Sequence, residues 1–227
     1  MATKKRNSAN QDYTNNTDGW DLSGGLTNVR KLTLSGADVA IVGSGTNVLT
    51  AVNRNATIGN DLNNFSTADQ TINAATTALI TGSLIAVPVG KLQIGTLYRC
   101  RFSVSKTAAG TAANNFLVKV GTNGTTADTT IATLATPTAT GVADKGWIEI
   151  SVLIRGPLSA SCVAQCNFWM GHNLSTTGLA NIPNVVVNTN SSTFNATTAN
   201  LFINITCTTA ASTVLTFQQV FTECTNL

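Results

Sequence analysis

Charge is scarce in this chain. Only 10% of its 227 residues are Asp, Glu, Lys or Arg, against about 25% in an average globular protein. Histidine occurs once, at position 172, and aromatic residues make up 6%. These shortages restrict chemistry. A single imidazole excludes any site that needs two histidines, and ten acidic residues leave little for paired acid–base work. No apolar run approaches the roughly 18 residues of a membrane-spanning helix. The basic start Lys4-Lys5-Arg6 is followed by no apolar segment of secretory type. The expectation is therefore a chain made without export. Cys100, Cys162, Cys166, Cys207 and Cys224 are an odd number in apolar, strand-like surroundings, which predicts free, buried thiols.

Thr and Asn fill the place of the missing charge. Thr favours strands and Asn favours turns, so the exchange argues against helices. A chain of this length buries roughly 70–75% of its unfolded surface and needs no staple for its core. Net charge is +3, and Lys4, Lys5 and Arg6 account for all of it. The basicity belongs to a tip and not to a face. Three such charges could touch two or three phosphates or an acidic patch on a protein, which predicts no dedicated nucleic-acid site.

Three regions follow. Residues 1–29 lack periodicity and are rich in Asn, Asp, Ser and Gly, reading as an extended N-terminal arm. Its partner-binding candidates are Lys4, Lys5, Arg6, Tyr13 and the anchor Trp20. Residues 30–78 read as a short β segment followed by a polar linker over 53–78. Residues 79–227 carry short apolar runs around 97–105, 116–121, 129–134, 147–154, 162–170, 184–187, 201–207 and 213–223. Turn residues separate most of them at the roughly 8–12-residue spacing of sandwiches and barrels. The run GWIEISVLIRG has apolar residues on both faces, which suits a strand central to its sheet. The fold class is all-β, an antiparallel β-sandwich of jelly-roll type.

Candidate sites fare poorly against plainer readings. His172 ends an apolar run with no carboxylate near it in sequence and no nucleophile-elbow motif, so it reads as a strand-end hydrogen-bonder. Cys162 and Cys166 are spaced C-x3-C without a second pair; on a strand both point to one face, which predicts core packing and not zinc. Asp128, Asp144 and Glu149 read as solvated residues near turns. Gly43-Ser44-Gly45-Thr46 and Gly121-Thr122-Asn123-Gly124 are turns, since neither continues into a phosphate-binding lysine and helix. Arg99 and Arg101 flank Cys100 and point the same way; they read as an outward polar face, or as contacts to an acidic neighbour at a subunit interface. The residues predict no enzyme, no cofactor and no metal.

The strings GTLYRCRFSVSKTAAGTAANNFLVKVGTNGTTAD, DKGWIEISVLIRG and GHNLSTTGL resemble a β-domain of structural proteins in tailed bacteriophages. The leader TDGWDLSGGLTNVRKLTLSGADVAIVGSGTN is similar to leaders of phage fibre-like and head-associated proteins. Together the two likenesses span roughly residues 17–50 and 80–225. They imply a virion protein, commonly a homotrimer, assembled in the host cytoplasm, and they carry over no catalytic residue. The expected role is a capsid decoration or cement protein held on the major capsid protein, or another virion protein, by its arm and inter-subunit contacts. The alternative is a tail fibre or spike adhesin binding host glycans.

Overall fold

The computed structural model describes residues 4–6, 12–16 and 19–21, and residues 62–226 apart from 74, 89 and 199. The chain forms two compact units, Met1–Ala56 and Thr57–Leu227. In the first, β1 (Lys4–Arg6), β2 (Asp12–Asn16) and β3 (Gly19–Asp21) form an antiparallel sheet in the order β1-β2-β3. Lys5 lies opposite Tyr13, and Asn15 opposite Trp20. Part of the stretch read as an extended arm is thus paired backbone. Strands of three to five polar residues leave no apolar alternation to read, which is why the sequence pattern missed them. The β segment and turn expected between Arg30 and Gly45 lie outside the described residues.

The second unit is an antiparallel β-sandwich. Its larger sheet runs in the order β13 (Asn184–Asn190), β12 (Val163–His172), β11 (Asp144–Gly156), β8 (Thr96–Lys106), β15 (Leu215–Asn226) and β4 (Leu62–Ser66). The short β5 (Gln70–Ile72) also pairs with β15. The smaller sheet runs β10 (Thr129–Ala135), β9 (Asn115–Gly121), β14 (Leu201–Thr208) and β6 (Thr77–Leu79), with β7 (Ile85–Val87) also on β14. Strand partnership nests inward along the chain, β8 with β15, β9 with β14, and β11 with β12, as in a rolled-up jelly-roll hairpin. No helix occurs among the described residues.

Alternation in β8 explains how the sheets meet. Tyr98, Cys100, Phe102 and Val104 point inward and are buried, while Arg99, Arg101 and Ser103 between them face out. Phe102, Phe168 and Phe217 from the larger sheet meet Phe116 from the smaller one. Phe116 lies 5.9, 5.3 and 6.2 Å, centroid to centroid, from those three rings. Burying each ring stabilises the fold by roughly 1.5–3 kcal/mol, so Phe116 is a principal tie between the layers. Two hydroxyls in the core find partners there: the Tyr98 hydroxyl donates to the Ser83 carbonyl at 2.6 Å, and the Ser83 hydroxyl to the Ile205 carbonyl at 3.1 Å.

The polar stretch 53–78, read as an irregular linker, contains β4, β5 and the start of β6. These strands sit at sheet margins, where hydrogen bonds to β15 and β14 hold them without a strong apolar pattern.

Candidate functional site

The outer face of the larger sheet carries an ordered set of side chains. One row of cross-strand partners runs Phe65, Phe221, Arg101, Glu149, Trp169, Val186 across six strands. At its centre Arg99 and Arg101 hold Glu149 and Glu223. Arg99 Nη1 lies 3.1 Å from Glu223 Oε1, and Arg101 Nε lies 3.2 Å from Glu149 Oε2. Longer contacts of 3.4 Å (Arg99 to Glu149) and 3.8 Å (Arg101 to Glu223) close the network. The two arginines proposed for a subunit interface therefore have intramolecular partners that neutralise them. The four side chains remain about a third exposed, so solvent screening keeps the pairing energy modest.

Large apolar side chains flank this network. Phe65 is 69%, Val186 70%, Phe221 42%, Trp169 41% and Trp147 39% exposed. Trp147 and Trp169 are diagonal neighbours on β11 and β12, with ring centroids 5.4 Å apart and planes at 64°. The row through Trp147 explains the hollow beside it, because its direct cross-strand partners are the small residues Ser103 and Gly171. A Cβ on Gly171 would stand 2.9 Å from the Trp169 ring, so only glycine lets that ring lie where it does. The result is a groove of about 470 Å³ whose walls include both tryptophans, Lys145, Asn173 and Gln218.

Behind one end of the groove lies a buried polar cluster. His172 Nδ1 is 2.6 Å from Asp144 Oδ2, and both side chains are fully buried. Nε2 donates to the Ile182 carbonyl at 2.8 Å, since a carbonyl can only accept. The Asp144 carboxylate also accepts the backbone N–H groups of Lys145 and Leu179. Lys106 stands directly opposite Asp144 and donates to the carbonyls of Thr140 and Thr107. Burial lowers the affinity of Lys106 for its proton, and Asp144 works in the opposite direction. Both imidazole nitrogens of His172 are occupied, so it fastens the 173–183 loop and offers no free base.

Asp128 is likewise buried. Its carboxylate accepts the N–H groups of Asn123 and Thr125 and the amide of Asn204, at 3.0 to 3.2 Å, folding the Gly121–Asp128 loop onto the sheet. A second hollow, of about 380 Å³, lies beside it. The reading of Asp128, Asp144 and Glu149 as solvated turn residues is corrected: two are buried hydrogen-bond hubs, and Glu149 lies mid-strand in the ion network. Sequence distance hid their partners.

Cys162 and Cys166 both pack in the core, and all five cysteines are buried and form no disulfide. Burial pushes the thiols of Cys100 and Cys166 up to about 12, and that of Cys207 upward as well. Such thiols are poor nucleophiles. Lys4, Lys5 and Arg6 lie on β1, Tyr13 on β2 and Trp20 on β3. The groove tryptophans escaped the sequence reading, although Phe168 and Trp169 are adjacent on one strand and one of the two rings had to face outward.

No family model and no curated protein matches the chain. Among solved structures it is similar to the alginate lyase Aly36B. A double mutant of that enzyme in complex with an alginate trisaccharide matches at 9% identity and a TM-score of 0.31, covering 70% of this chain and 81% of the other. A second Aly36B structure matches at 7% identity and a TM-score of 0.26, covering 68% and 79%. Both matched structures are of an enzyme, against the expectation of no enzyme read from the sequence. Likeness at this level carries no activity, substrate or residue role across.

Proposed function

We propose that this chain is a structural protein of a tailed-bacteriophage virion, acting as a decoration or cement protein on the major capsid protein. The observation that carries the reading is the outer face of the larger sheet. Phe65 and Phe221, direct cross-strand partners, stand exposed there beside a charge network that neutralises itself. A contiguous apolar patch of this kind marks an interaction surface. Ion pairs already closed within the chain add little repulsion toward a neighbour, while the two phenyl rings supply the burial that holds a lattice contact. The resemblance of the GTLYRCRFSVSK and GWIEISVLIRG segments to phage β-domains supplies the virion setting, and a homotrimer is the assembly it suggests.

The test is cosedimentation with purified capsids of the phage that encodes the chain, with copies per particle counted by quantitative mass spectrometry. Saturable binding in many copies per head is expected, and Phe65→Glu with Phe221→Glu should abolish it. Absence of binding, or a handful of copies located on the tail, would overturn the decoration role.

A further inference from the structure

We infer that the groove beside Trp147 is a binding site for an acidic saccharide. Its construction separates it from the rest of the sheet face. The row Gln218, Ser103, Trp147, Gly171 places one large ring between two small residues, and Trp169 leans across Gly171 to form a second aromatic wall. Two indoles with planes at 64° offer an apolar platform with an angled side wall, which suits the C–H face of a pyranose ring. An indole supplies such contact area at little conformational cost. Ser103 and Asn173 line the same groove and bring a hydroxyl and an amide, both donors and acceptors, for sugar hydroxyls, while the Gln218 amide on its rim donates to Asp69 at 3.0 Å.

Charge completes the argument. The groove's lining holds one exposed cation, Lys145, and no carboxylate; Asp144 is buried behind it, and Asp69, which accepts from the Gln218 amide at 3.0 Å, lies on the far side of β15 from Lys145. Among the described residues the ion pairs join Arg99 and Arg101 to the two glutamates and His172 to Asp144; Lys145 is in none of them. An ammonium on the rim of an aromatic groove complements a ligand that carries a carboxylate beside its ring. One cation is too few for a nucleic-acid track. A lining this rich in polar groups is poorly matched to a wholly apolar ligand.

The site stands apart from the capsid contact, because Phe65 and Phe221 lie on β4 and β15 and do not line the groove. The two can fail separately. Affinity electrophoresis of the full chain through gels containing polygalacturonate, hyaluronate, colominic acid or neutral dextran provides the test. Retardation by at least one acidic polymer and none by dextran is expected. Trp147→Ala should weaken it by about tenfold or more, and Lys145→Gln by several-fold. Arg155→Gln, which removes a cation elsewhere on the strand of Trp147, should be retarded as much as the parent, each judged against its own mobility in a polymer-free gel. Lys145→Gln alters only an exposed side chain, so it reports even if Trp147→Ala fails to fold. Failure of all three acidic polymers, equal retardation by dextran, or an unchanged Lys145→Gln would overturn the inference.

Discussion

The carboxylate of Asp144 and the imidazole of His172 meet at 2.6 Å inside the protein, although 28 positions separate them in the chain. Asp144 opens β11 and His172 closes β12. Their contact, with the Leu179 N–H and the Ile182 carbonyl, ties the following loop to the sheet end. Gly178 matters to the same joint: its φ is +90°, and a Cβ there would collide with the Asp144 side chain. Removing one member of a buried, hydrogen-bonded pair costs about 3–5 kcal/mol. Asp144→Ala should therefore lower the unfolding free energy in urea by about 3 kcal/mol and open the 173–183 loop to proteolysis. His172→Gln, which keeps one hydrogen bond, should cost less. A change within the roughly 0.5 kcal/mol of an ordinary surface substitution would show that the pair does not fasten the loop.

Local patterning made much of the sandwich legible, and distance hid the rest. Tyr98, Cys100, Phe102 and Val104 alternate with polar residues, so β8 and its buried face could be read directly. The same holds for Cys166, Phe168 and Met170 on β12. β4 reads Leu-Asn-Asn-Phe-Ser and shows no apolar face, because an edge strand needs hydrogen bonds to one neighbour more than it needs a core. The Asp144–His172 and Arg99–Glu223 contacts depend on strand order, which alternation does not encode. The groove depends on register: only the pairing of Trp147 with Ser103 and Gly171 reveals that its neighbours are small.

The five thiols give a prediction with a defined sign. All are buried and none forms a disulfide. In native protein at about pH 8 they should react slowly with a disulfide reagent, and in denaturant all five should titrate. Burial raises Cys100 and Cys166 from 9.0 to about 12. A raised folded-state value means that the native state holds protons the unfolded chain has released. The contribution is therefore fully present below pH 9.0 and is lost as pH rises toward 12. Urea unfolding measured along that range should show declining stability, with a shallower decline in Cys100→Ala/Cys166→Ala. Tyr98, also raised by burial, acts with the same sign, so part of the slope should survive. A slope that is identical in the double variant would refute this assignment.

The last prediction concerns the bulge in β15, which sets what the sheet face displays. Gln218 pairs with Ser103 and Phe221 with Arg101, so Gln219 and Val220 together stand opposite the single residue Phe102. Gln219 absorbs the extra length at a φ of +52°, exposed to solvent. Phe217 and Val220 both point inward, and Phe221 is left on the outer face. Two consequences can be measured by thermal unfolding. Gln219→Gly should be neutral or stabilising, because relief of about 1–2 kcal/mol of left-handed strain outweighs or balances the roughly 0.5–1 kcal/mol entropic cost of glycine. Deleting Gln219 should also leave the protein folded, since Phe217, Gln218, Val220 and Phe221 would then alternate regularly against β8. Deleting Thr222 should not be tolerated, because every later side chain changes face, burying Glu223 and exposing Cys224. If the two deletions destabilised the protein equally, the bulge would not be what places Phe221 on the surface.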